Sequence, residues 1–386
     1  MVAGGDLAGG GSQQTPPARS SDVTIKQVAA FGLQDRSQPV ADTPLSDADW
    51  SRLLGQVRYQ RLAGFLNAAV ETEALPVTDE QRDEVQDLHL QACSTALWLE
   101  SRLLEVVELL EGAAIDLVVL KGTAVAHLAY PDPALRSYGD NDVLLPSDRY
   151  DEAVELLTRN GYTRQTVQAR SGFERRFGKG VTLDGAYGDE LDLHRNLVFG
   201  SFGFRIDLDE LFRSAESFDL GGRRLYGLGP ETRLLHACYH AALGDPVPRY
   251  GSVRDIAQML ITGSHDPDRV VELVQDWESS AVVSRGISLC RDLLGIDPGD
   301  PVARAFADHL PSPRERRALE SYVGENRSFA AKALASLPYI DGLGAKLSFL
   351  RAVVIPQRGF PESFGGRPGV AWVRRGARSL VGKRRR

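Results

Sequence analysis

Three short stretches of this sequence carry side chains whose types and spacing can do chemistry. In Leu120-Lys121-Gly122-Thr123 a β-branched run ends in glycine just where a helix would begin. Backbone amides at such a junction cradle phosphate, and glycine allows close approach. The same junction occurs throughout α/β proteins without a ligand. The chain lacks G-x-x-x-x-G-K-[ST] and G-x-G-x-x-G, so neither a P-loop nor a dinucleotide fingerprint is present. In Asp140-Asn141-Asp142 two acids stand at i and i+2, which on a strand face the same side. Two carboxylates held together are costly unless a divalent cation lies between them, and Mg²⁺ takes a few carboxylates plus substrate phosphates. The competing reading is a solvent-facing turn in which these side chains cap backbone groups. In Glu190-Leu191-Asp192-Leu193-His194 strict alternation puts the leucines on one face and Glu190, Asp192 and His194 on the other. Beside the Asp140 strand, Asp192 would complete a three-carboxylate site, able to hold two metals about 3.5–4 Å apart for in-line nucleotidyl displacement. Alone, it reads equally as the wet face of an edge strand.

Other polar residues are weaker candidates. The chain has only six lysines, Lys26, Lys121, Lys179, Lys332, Lys346 and Lys383, so Lys121 inside a motif is notable. Lys121 and Arg136 are candidate phosphate partners, one as a point charge and the other as a bidentate fork. Lys121 can equally pair with a surface acid, and Arg136 can hold Asp132 or Asp140. His194 can orient Asp192, touch substrate or serve structurally. His236 and His240 are four apart on a helical pattern, a zinc-compatible spacing, but no third ligand is evident. Packing of that helix against the catalytic unit is the favoured reading. Asp255 faces the cleft or caps a helix. There is no G-x-S-x-G to support a Ser-His-Asp set.

The elements that must position these residues follow from periodicity. Residues 1–44 are rich in Gly, Ser, Gln, Pro and Asp and are expected to be disordered. Ser46 and Thr78 are helix N-caps, and helical patterns run from 45 to 112, closed by Gly112. Strands are expected at 115–120, 140–145, 162–168, 173–183 and 189–197, with helices at 123–130 and 148–160. After Pro230 the pattern is again helical. The expected class is α+β: a small mixed sheet at 113–228, flanked by helical regions at 45–112 and 229–345, with a basic tail at 346–386.

Taken together, these motifs resemble a known family. Lys121-Gly122-Thr123, Tyr130-Pro-Asp-Pro-Ala-Leu-Arg136, Gly139-Asp-Asn-Asp-Val-Leu-Leu-Pro146 and Leu191-Asp-Leu-His194 look like the uncharacterised nucleotidyltransferase family of the DNA polymerase β-like superfamily. The superfamily pattern is a glycine–small turn, a D-x-D pair and a third acid on a neighbouring strand. The resemblance implies Gly122 and Thr123 for the turn that receives the nucleotide, and Asp140, Asp142 and Asp192 as catalytic metal ligands, to which the candidate phosphate partners Lys121 and Arg136 would add. Asn141 stands where the middle of the pair is usually apolar. It further implies transfer of NMP from an NTP, most simply ATP, with Mg²⁺ or Mn²⁺, onto a hydroxyl or phosphate of an unknown acceptor. The alternatives are a nucleotide-binding module without turnover, and a toxin or tailoring enzyme modifying a macromolecule such as tRNA or a peptide.

Composition narrows the classes. The 386 residues are 42% hydrophobic and 25% charged, ordinary for a globular protein large enough for more than one domain. No run of 18 apolar residues exists, so no transmembrane helix is expected, and the N-terminus does not read as a signal peptide. Cys93, Cys238 and Cys290 form neither a metal-type pair nor a disulfide framework, and a reducing cytoplasm is the expected compartment. From Arg351 to Arg386 there are ten basic residues and one acid. That tail carries +9 and leaves −16 on the rest of a chain whose net charge is −7. It suits contact with an anionic partner, or is a solvated terminus.

Overall fold

In a computed structural model, the structure describes residues 20–33, 39–245, 247–324, 329–357 and 360. Most of the basic tail expected at 346–386 lies outside these residues. The chain opens with helices α1 (Ser20–Ala30), α2 (Asp47–Gln60), α3 (Ala63–Glu71) and the long α4 (Asp79–Gly112). Ser46 caps α2, and Thr78 with Gln81 forms a capping box on α4, so both helix starts follow from local side-chain hydrogen bonds. Helix α1 departs from the disorder expected of residues 1–44. Ile25, Val28 and Ala29 give it one apolar edge, which is buried in the helical core, and Arg254 donates to the Ala29 carbonyl.

The central segment runs β1 (Val118–Leu120), α5 (Lys121–Ala129), a 3₁₀ turn at Pro133–Leu135, β2 (Asn141–Leu144), α6 (Tyr150–Arg159), β3 (Thr163–Arg164), α7 (Phe173–Phe177), β4 (Gly180–Asp184), β5 (Glu190–His194), α8 (Leu208–Arg213), β6 (Glu216–Leu220) and β7 (Arg223–Gly227). The seven strands form one mixed sheet in the order β3-β4-β5-β2-β1-β7-β6. β2 runs parallel to β5 and antiparallel to β1. The fold is therefore α+β, with a mixed-sheet core between helical segments. Two differences from the sequence expectation bear on the sheet. Phe173 and Phe177 begin a short helix rather than a strand, because at i and i+4 both rings pack on Phe349, with centroids 5.8 and 5.2 Å away. The β6–β7 hairpin was not anticipated. It turns through Gly221 and Gly222, both at positive φ, as a two-residue hairpin loop demands.

Alternation along the strands sorts the two faces. Val119, Val143, Leu191 and Leu193 point into a core shared with Leu103, Val107 and Leu110 of α4 and Tyr150 and Leu157 of α6. Leu120 and Leu144 point the other way, into the larger helical core. That core is built by α1–α3 together with α9 (Pro230–Leu243), α10 (Tyr250–Thr262), α11 (Pro267–Asp276), α12 (Ser280–Leu289), continued by a π turn at Cys290–Leu294, and α13 (Pro301–Phe306). Helices α14 (Pro313–Val323), α15 (Phe329–Ser336) and α16 (Leu343–Val354) follow. Asn141 is 4% exposed and donates to the Leu99 carbonyl of α4, so this polar residue serves the buried face. Among the described residues no helix is long and apolar enough to cross a membrane.

Candidate active site

The register of β2 against β5 sets Asp142 directly beside Asp192. Both side chains lie on the face opposite the α4–α6 core, as the alternation of β5 requires. Asp142 is 3% exposed. Its Oδ1 lies 2.7 Å from His194 Nε2 and also takes the Lys121 ammonium in an ion pair. Asp192 accepts a hydrogen bond of 2.5 Å from Thr182 Oγ1 on β4, and its Oδ2 is 3.8 Å from His194 Nε2. The other ring nitrogen of His194 is 3.2 Å from the Asn196 carbonyl. His194 thus faces an oxygen acceptor on each side, Asp142 and the Asn196 carbonyl.

The electrostatics follow from this crowding. Burial pushes the Asp142 carboxyl up, but Lys121 and His194 outweigh it and hold it well below the usual range. Burial likewise opposes ionisation of Asp192, and the His194 ring brings it down to about 2. Lys121 is disfavoured by burial but raised overall by Asp142, Asp140 and Asp192. Burial and the neighbouring Lys121 lower Lys179, whose charge also feels Asp192, Asp142 and Asp140. His236 and His240 on α9 sit close enough to feel Lys121, and burial followed by that cation pushes both well below an ordinary histidine. Both surroundings favour the neutral imidazole.

The remaining predicted residues are distributed around this centre. Asp140 precedes β2, and its Oδ1 accepts from Arg61 Nη1 at 3.2 Å. Asp140 is not in the group of three whose ligand atoms converge. That group is Asp142, Asp192 and His194, within 4.8 Å of one another. Gly122 is buried under Tyr138, where a β-carbon would come within 3.2 Å of the ring. Thr123 is 2% exposed. Lys121 opens α5 at φ +40, a strained value for a residue with a β-carbon, and that conformation accompanies its contact with Asp142. Arg136 does not hold Asp132 or Asp140. It grips Asp255 through Nε at 3.0 Å and Nη2 at 2.8 Å, and its Nη1 donates to the Gly122 carbonyl at 3.2 Å. Tyr130 donates to the same carboxylate at 2.8 Å. Asp255 is therefore a buried anchor, tying the loop before β2 to α10.

Asp142 and Asp192 side by side offer the oxygen donors that Mg²⁺ or Mn²⁺ favours, and His194 adds a nitrogen acceptable to Mn²⁺. The donor set fits a divalent cation, and the Lys121 ammonium pairs with Asp142 at the same place. Three participants escaped the sequence reading. Lys179 precedes β4, and its only signal was the scarcity of lysine. Thr182 follows from the alternation of β4. Arg61 lies 79 residues before its partner Asp140, and nothing local marks it.

A search of solved structures finds similarity to a lincosamide antibiotic adenylyltransferase, LnuA, with lincomycin bound, at 14% identity and a TM-score of 0.29, over 41% of this chain and 94% of that one. It also finds an antigenic nucleotidyltransferase-like protein from Paracoccidioides brasiliensis, at 16% identity and a TM-score of 0.30, over 49% of this chain and 91% of that one. No curated protein matches the chain. The profile of an uncharacterised nucleotidyltransferase family matches residues 46–295, well over half of the sequence, and the chain belongs to that family.

Proposed function

We propose that this nucleotidyltransferase is divalent-metal dependent, moving a nucleoside monophosphate from a nucleoside triphosphate, ATP as the simplest donor, to a hydroxyl or phosphate oxygen of an acceptor. The observation that carries this reading is the pairing of Asp142 with Asp192 across adjacent parallel strands, on a covered face that also receives Lys121 and Lys179. Asp142 and Asp192, joined by Asp140, would hold the cation. A bound Mg²⁺ or Mn²⁺ would neutralise charge developing at the transferred phosphorus. Lys121 exchanges Asp142 for phosphate oxygens, and Lys179 meets the same phosphates as a second point charge. Gly122 and Thr123 present backbone amides at the start of α5. Arg136 keeps the loop that carries Asp140 in place.

In the transfer, an acceptor oxygen bonds to the α-phosphorus as the bond from that phosphorus to the α–β bridging oxygen breaks. Pyrophosphate leaves with the bonding electron pair. Asp192, ionised and adjacent, takes the acceptor's proton. Calorimetry of each nucleoside triphosphate with Mg²⁺ and with Mn²⁺ tests the reading. Wild type is expected to bind only when metal is present, and Asp142→Asn/Asp192→Asn to lose that binding. A wild type that binds no triphosphate with either metal, or a double variant that binds equally well, overturns it.

A further inference from the structure

Arg61 ends α2 in the left-handed conformation, φ 58 and ψ 47, where a residue with a β-carbon is strained. This backbone turn sends the guanidinium across to the loop before β2. It lies over Gly139, where a β-carbon would stand 3.3 Å from Nη2, and it pairs with Asp140. The pair is a single contact, with the two side chains 42% and 26% exposed, so it is weak and exchangeable. Both residues face a cavity of about 200 Å³, whose walls also carry Arg249, His240 and Tyr130. Arg249 makes one ion contact of 3.2 Å, to Asp245, and lies over the exposed Tyr59 ring with its guanidinium 5.1 Å from the centroid. The buried two-bond pair of Arg136 and Asp255 in the same wall is built to stay.

A ligand that separates Arg61 from Asp140 must offer an anion to one and a cation to the other. A neutral or purely anionic ligand leaves Asp140 without a partner, and a bare cation leaves Arg61 without one. A divalent metal bound to a polyphosphate carries both charges. The geometry points to Arg61 as an exchangeable phosphate ligand: it guards Asp140 in the free protein, then transfers to phosphate oxygens of a metal–nucleotide complex as Asp140 turns to the cation. The inference rests on the nucleotidyl-transfer reading and assigns to the N-terminal helices a direct part in binding the nucleotide. Arg249, whose guanidinium lies over the Tyr59 ring two residues before Arg61, lines the same cavity as a second cation.

The test compares wild type with Arg61→Gly and Arg61→Lys, measuring Mn²⁺ alone by electron paramagnetic resonance and Mn²⁺–ATP by calorimetry. Glycine suits the left-handed position, so Arg61→Gly removes the guanidinium while relaxing the backbone, and equal thermal stability verifies the fold. In Arg61→Gly, Mn²⁺ alone is expected to bind about two- to fivefold tighter, the worth of an exposed ion pair. Mn²⁺–ATP is expected to bind about tenfold weaker or more, the worth of one charge-assisted hydrogen bond. Arg61→Lys should retain part of the nucleotide affinity. Opposite shifts support the inference. Unchanged affinities, or equal losses of both, overturn it while leaving the nucleotidyl-transfer reading intact. A wild type that binds Mn²⁺ but no triphosphate overturns that reading, and the inference with it.

Discussion

Replacing Lys121 by methionine separates its two roles at the site. Met has a similar length and keeps the β-carbon, so the backbone strain at φ +40 is unchanged and only the ammonium is removed. Without metal this leaves Asp142, 3% exposed, hydrogen-bonded to the His194 ring, with the Lys179 ammonium nearby and Asp192 alongside. Removing one member of a buried ion pair costs about 3–5 kcal/mol, because the stranded charge stays desolvated. At about 2–4 °C per kcal/mol for a sizeable domain, the midpoint of thermal unfolding should fall by roughly 10 °C. The same substitution removes the group that competes with a cation for Asp142. Mn²⁺ should therefore bind Lys121→Met more tightly than wild type, and saturating Mn²⁺ should restore most of the lost midpoint. Nucleotide should not share in the gain, since a phosphate partner is gone. The assay is a thermal melt in chelator and across a Mn²⁺ titration, followed by calorimetry with Mn²⁺–ATP. A variant that melts with wild type in chelator, or whose deficit Mn²⁺ leaves unchanged, would refute the account of Lys121 as the occupant of the cation's place.

Two further outcomes follow from the same contacts. Arg136→Met strands Asp255 and removes a donor from the Gly122 carbonyl, so urea unfolding should lose about 3–5 kcal/mol; a loss below about 1 kcal/mol would contradict the anchoring role of this pair. The neutral His236 and His240 set a pH dependence. Both are held well below the ordinary 6.5, so below that pH the unfolded chain binds protons that the folded chain refuses, and stability falls. The slope reaches about 1.4 kcal/mol per pH unit for each histidine. The depressed Asp142 and Asp192 contribute stability that is complete above their ordinary 3.8 and is lost only as pH falls toward 2, so they do not mask it. The urea midpoint should decline between pH 6.5 and 5, less steeply in His240→Gln. A midpoint constant from pH 7.5 to 5 would contradict this reading of His236 and His240.

What the sequence alone determined is local. The caps at Ser46 and Thr78 depend on contacts three residues long. The inward leucines and outward acids of β5 depend on a period of two. The family resemblance rested on motifs equally short, strand–glycine–helix, D-x-D and L-D-L-H, which is why the acids were legible before their neighbours were. At Phe173-Glu-Arg-Arg-Phe177 a spacing of four sets both rings on one face of a strand as well as of a helix, and a distant ring, Phe349, decides for helix. Helix α1 was missed because polar composition hid one apolar edge, which packs on the neighbouring α2 and on the distant α10. Tertiary structure decided which acids meet. Sheet order puts Asp142 beside Asp192, while the bend before β2 leaves Asp140 to Arg61. It also decided the charges: Lys179, His236 and His240 act at the site only because β4 and α9 are packed against it, and burial then shifts each of them. Chain separation is the physical reason. Backbone periodicity records which way a side chain points. The partner it meets is set by long-range packing, to which residues 79 positions apart in sequence give no local sign.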